Sequence, residues 1–146
     1  MPQEAAERTA IMLKLIIGVK GTGKTKTLIS MVNEAVEKSE GTVVCIEKGV
    51  GLRFDVKYTA RLINSIEYLF FDAEALYGFV AGILASNHDV TDLFIDGALK
   101  IANNDMAAFE NFLKACDELV SKVNVNVVMT SSIPAEEASD VVKKYI

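Results

Sequence analysis

Gly18-Val19-Lys20-Gly21-Thr22-Gly23-Lys24-Thr25 has the spacing GxxxxGK[ST], and its residue types suit one kind of chemistry. Glycines at 18, 21 and 23 let the backbone fold around an anion with consecutive amide hydrogens turned inward, while the helix that follows offers its positive end. Lys24 would then reach the β- and γ-oxygens of a bound triphosphate, and the Thr25 hydroxyl would ligate Mg²⁺. The spacing therefore predicts a phosphate-binding segment for Mg·ATP from Gly18 to Lys26. Lys20, inside the loop, is expected to be solvent-exposed charge.

A second metal-directed group should be a carboxylate at the end of an apolar strand, and Leu93-Phe94-Ile95-Asp96 supplies one. Asp96 is expected to hold Mg²⁺ through water together with Thr25; the alternative is an aspartate that caps a following helix. No NKxD-type guanine reader follows, because Asn103-Asn104-Asp105 lacks the lysine, and this favours ATP over GTP.

These groups must be positioned by elements that the hydrophobic pattern makes legible. Strands are expected at 12–17, 42–46, 60–64, 92–95 and 124–130, and helices at 25–38, 73–85, 105–122 and 134–144. Short continuous apolar runs such as Thr42-Val43-Val44-Cys45-Ile46 fit a buried parallel sheet. Leu76, Phe79, Val80 and Ile83, and likewise Phe109, Phe112, Leu113, Cys116 and Val120, recur at helical spacing and should face that sheet. The alternation predicts an α/β fold of three layers, α/β/α, around a mostly parallel five-stranded sheet. Asp72 should cap the second helix, and Glu136-Glu137 with Lys143-Lys144 suit the macrodipole of the last. Lys48 to Tyr58 is irregular, with Arg53-Phe54-Asp55-Val56 expected as a short strand or a flap.

From Met12 to Ser132 this arrangement resembles the RecA-like branch of the P-loop NTPases, carried chiefly by the loop Gly18–Thr25. It is also similar to short bacterial ATP-binding proteins sometimes labelled twitching-motility ATPases, although it has no histidine-containing boxes of the secretion type. The resemblance implies that Glu47, after Thr42–Ile46, is a general base that polarises water for attack on the γ-phosphate; otherwise it is a surface glutamate. It implies further that Thr130 and Ser131 sense the γ-phosphate, with Ser132 free to cap the last helix. Hydrolysis in such proteins commonly draws an arginine from a neighbouring subunit. Of Arg8, Arg53 and Arg61, Arg53 is the best placed, which makes a homo-oligomer an expectation. Gly97 replaces the second acid found after Asp96 in many hydrolysing relatives. The expected function is Mg·ATP binding with slow or partner-dependent ATPase activity. Two alternatives stay open: a small-molecule or nucleoside kinase, though without an arginine-rich lid or a four-cysteine zinc lasso, and a non-hydrolysing nucleotide-dependent interaction module with an unknown protein partner.

Bulk properties narrow the classes. A chain of 146 residues, 51% hydrophobic, predicts one domain over residues 11–146 after a loose tail at 1–10. A formal charge of −5 disfavours general nucleic-acid binding, which needs a clustered basic face. Apolar runs are too short for a bilayer and no signal-peptide pattern is present, so a cytoplasmic protein is expected. Cys45 and Cys116 read as reduced core residues, His88 as a surface residue, and the aromatic groups Tyr68-Leu69-Phe70-Phe71 and Tyr77-Gly78-Phe79 as core packing.

Overall fold

Five apolar runs become five strands of one sheet in a computed structural model, which describes residues 13–146. The expected tail at 1–10 and the strand start at Met12 lie outside the described residues. The elements in chain order are β1 (Leu13–Ile17), α1 (Lys24–Lys38), β2 (Thr42–Glu47), β3 (Arg61–Asn64), α2 (Ala73–Ser86), β4 (Val90–Ile95), the single-turn α3 (Ala98–Ile101), α4 (Met106–Val123), β5 (Asn126–Ser131), a 3₁₀ turn (Ala135–Glu137) and α5 (Asp140–Lys143).

The sheet order is β1-β5-β4-β2-β3, and every pairing is parallel. Successive side chains in a strand point to opposite faces, and both faces here are apolar. Val43, Cys45, Phe94 and Val128 meet Leu28 and Val32 of α1 on one side. Val44, Ile46, Leu93, Ile95, Val127 and Met129 meet α2 and α4 on the other. The stripe Phe109, Phe112, Leu113, Cys116 and Val120 is buried throughout, as its spacing predicts. On α2, Leu76 and Val80 are buried while Phe79 and Ile83 are half-buried. The fold is α/β with an all-parallel five-stranded sheet and helices on both faces.

β1 is less buried than the inner strands because it pairs only with β5. Its outer edge is closed in part by the chain end: Leu15 N–H donates to the Tyr145 carbonyl at 2.7 Å. This contact satisfies a donor that an edge strand would otherwise present to other chains.

Three expectations need correction. The helix over 134–144 is two separate turns, because Ala138 is extended and buried in the core, and Ser139, not Ser132, caps α5 by accepting from Val142 N–H at 3.2 Å. The paired charges Glu136-Glu137 and Lys143-Lys144 thus belong to different turns. Asn124 is no strand residue: it terminates α4 in the left-handed region at φ 58°, which asparagine tolerates. Residues 53–56 form turns rather than a strand or an open flap. Leu52 and Val56 are buried under α1, and Asn33 clamps the segment by donating to the Asp55 carbonyl and accepting from Lys57 N–H, each at 2.9 Å.

Candidate functional site

The segment after β1 turns sharply before α1, and its glycines are where the geometry demands them. At Gly18, φ is 155° and a Cβ would stand 2.7 Å from Thr22 Oγ1. Gly23, the N-cap of α1, sits at φ 86°, where a larger residue would be strained. Gly23 offers no side-chain cap, and the first turn of α1 holds no acid. Among the described residues, no backbone N–H from Lys20 to Lys26 donates to a protein acceptor. The loop thus presents a run of unspent donors at the positive end of a 15-residue helix.

Inside the loop, the Val19 carbonyl accepts from Thr22 Oγ1 at 2.7 Å and from Lys24 Nζ at 2.9 Å. Lys24 is therefore folded back over its own loop, its ammonium held by the Val19 carbonyl. Lys20, Gly21, Gly23, Lys24 and Thr25 line a cleft of about 700 Å³ at the carboxyl ends of the strands. Open α/β sheets place ligands at this end. Gly18, Val19, Thr22 and Lys26 shape or flank the loop without lining the cleft.

The opposite wall is built by β4, β5 and α3. Asp96 follows β4 directly and is half-buried. Its carboxylate accepts from Thr25 Oγ1 at 3.2 Å and 3.3 Å and from Thr130 Oγ1 at 2.7 Å. Thr130 in turn accepts from Gly97 N–H at 2.9 Å, so one hydroxyl orients Asp96 and fixes the turn after it. The structure thereby brings together Thr25, Asp96 and Thr130 from three elements. Among the described residues, no group of three or more His, Cys, Asp or Glu side chains is gathered for a metal. Mg²⁺ does not require one, because it is commonly held by one or two carboxylates with substrate phosphates and water. The paired Asp96 carboxylate and Thr25 hydroxyl fit that demand.

Other expected residues are placed elsewhere. Ser131 is buried and accepts from Leu99 N–H at 3.2 Å, so it braces α3 instead of facing the cleft. Ser132 lines the cleft in its place. Glu47, at the end of β2, is only 5% exposed and is not a surface glutamate. Both its oxygens accept from Leu52 N–H, at 3.3 Å and 3.2 Å, and it does not line the cleft. Burial pushes its carboxyl above the ordinary range, opposed by the Leu52 amide, reinforced by the charge of Asp96 and opposed again by the Gly51 amide. Arg53 packs its guanidinium 4.8 Å from the Phe54 ring and lines a separate cavity with Tyr58 and Arg61. Cys45 and Cys116 are free and buried, and burial raises both thiols, Cys116 to about 12, which removes them as nucleophiles at neutral pH. His88 is exposed. The aromatic reading is half right: Phe70 is buried and stacks on Phe79 at 4.2 Å, but Tyr68, Leu69 and Phe71 are exposed.

Leu99, Lys100 and Asn104 complete the cleft and carry no motif in the sequence. Among the described residues no helix is long and apolar enough to cross a membrane. No protein-family model matches the chain, and no curated protein matches it significantly.

Proposed function

We propose that the chain binds Mg·ATP in the cleft between the Gly18–Thr25 loop and Asp96, as a P-loop NTPase of RecA-like type, and turns it over slowly or on contact with a partner. One observation carries this reading: unpaired loop amides line a cleft in which the Thr25 hydroxyl lies 3.2 Å from a carboxylate oriented by Thr130. The loop amides would take the phosphate oxygens, and Lys24 would exchange the Val19 carbonyl for one of them. Thr25 and Asp96 would hold Mg²⁺, which supplies positive charge across the β- and γ-oxygens. Thr130 orients Asp96 for that role by donating to its carboxylate at 2.7 Å.

Turnover is the part that depends on movement. Glu47 lies one strand away from Asp96 in register, since Asp96 N–H donates to the Ile46 carbonyl at 2.8 Å, yet its carboxylate is spent on Leu52. A base must come within about 3 Å of the water it activates, directly or through one water. As a base Glu47 would have to turn from the Leu52 amide towards the cleft, a requirement that fits slow or conditional turnover. The same tether favours a second reading, nucleotide binding without turnover.

Label on the γ-phosphate separates the readings. Incubation of the protein with γ-labelled ATP and Mg²⁺ is expected to retain nucleotide stoichiometrically and to release labelled inorganic phosphate slowly. Retention with no release supports the binding module, and transfer to an added nucleoside supports a kinase. Lys24→Ala should abolish retention, and a native protein that retains no ATP overturns the proposal.

A further inference from the structure

The wall of the cleft facing the loop carries one cation that no motif announces. Lys100 lies on α3, a single turn in which Ala98, Leu99 and Ile101 are buried and Lys100 is exposed. The turn is fixed at both hydroxyls of β5: Gly97 N–H donates to Thr130 Oγ1 at 2.9 Å and Leu99 N–H to Ser131 Oγ at 3.2 Å. Left-handed Asn103 and Asn104, at φ 61° and 57°, end it, and their N–H groups return to the Lys100 and Leu99 carbonyls at 3.1 Å and 2.9 Å. Lys100 therefore stands on a braced platform that shares Thr130 with Asp96.

Three lysines, Lys20, Lys24 and Lys100, line the cleft against one carboxylate, Asp96. Two of them come from the loop and only Lys100 from the far wall. Among the described residues Lys100 forms no ion pair. A cation fixed there gains most from a ligand whose charge extends past the Thr25–Asp96 pair towards α3. A triphosphate carries one more charged group than a diphosphate, and a cation outside the loop but on the same cleft is free to take that group.

We propose that Lys100 reads the terminal phosphate of the bound nucleotide from within the same chain, so that the cleft distinguishes a nucleoside triphosphate from a diphosphate. This rests on the nucleotide reading above. It assigns to Lys100 a cationic contact from the far wall of the cleft, beside that of Lys24 in the loop and in the place where the sequence offered Arg53 of a neighbouring copy.

The test compares affinities for the β,γ-imido analogue of ATP and for ADP, each with Mg²⁺, in the parent chain, Lys100→Ala, Lys100→Arg and Lys24→Ala. Lys100→Ala should weaken the triphosphate analogue by about tenfold or more, the scale of one charge-assisted contact, and leave ADP within about twofold. Lys100→Arg should restore most of the difference, and Lys24→Ala should weaken both nucleotides. Because Lys100 is exposed, its variants should unfold at the parent's temperature. Unchanged analogue affinity in Lys100→Ala, or equal loss of both nucleotides, overturns the inference and leaves the nucleotide site standing. Failure of the parent chain to bind either nucleotide overturns the site itself.

Discussion

Glu47 is a buried carboxylate that accepts from the Leu52 amide at 3.2 Å and 3.3 Å, and its raised proton affinity has a thermodynamic consequence. An acid whose pKa is higher in the folded state binds its proton more tightly there than in the unfolded chain, where the ordinary value is 4.5. Its favourable contribution is complete below that value and is lost as pH rises through the folded pKa. Glutamine keeps an oxygen for the Leu52 amide without a charge to bury. Glu47→Gln should therefore be more stable than the parent in urea at pH 7, with the gap closing as pH falls through the folded pKa towards 4.5. The same variant should bind ATP as the parent does and release no phosphate. Unchanged turnover would remove Glu47 from the chemistry, and an unchanged pH profile would remove the burial argument. The neighbouring hydroxyls divide the work: Thr130 and Ser131 are adjacent on β5 and point to opposite faces, so Thr130 orients Asp96 and holds Gly97 N–H while Ser131 holds Leu99 N–H.

At the scale of elements, local chemistry decides what the sequence reveals. Asp72 and Asp105 cap α2 and α4, accepting from Ala75 and Ala108 N–H at 2.7 Å and 3.1 Å, and Asp72→Ala should cost about 1 kcal/mol in a denaturant titration. Phe109→Ala, at the fully buried start of the apolar stripe of α4, should cost about 3 to 5 kcal/mol. Equal, small effects of the two would contradict the packing described. Both features were legible because capping and helical periodicity are written within a few residues. The sharp glycine-bearing turn between β1 and α1 was legible for the same reason, since its glycines and Lys24 are one continuous segment. The C-terminal segment was not, because its charge pattern suits one helix while the burial of Ala138, a tertiary contact, divides it. Nor were Lys100 and Asn104, which owe their place in the cleft to a four-residue turn too short for any period and to the docking of that turn on β5. Glu47 was found as a residue but not as a tethered one, since Leu52 reaches it only through the packing of the 48–58 segment under α1.

The whole molecule places its loop, its carboxylate and its third cation at the carboxyl end of one parallel sheet, with β5 between the strand that feeds the loop and the strand that ends at Asp96. The cleft at that end has a volume of about 700 Å³ and is lined from both the loop and α3. Although the chain as a whole is acidic, at −5, the cleft lining is basic, so its field favours an anion against the background of the surface. Calorimetric titration of the folded chain with ATP in the presence of Mg²⁺ tests the central claim most directly. Saturable uptake of about one nucleotide per chain, lost in Lys24→Ala, is the predicted result, whereas no heat of binding with either ATP or GTP at millimolar nucleotide would contradict it.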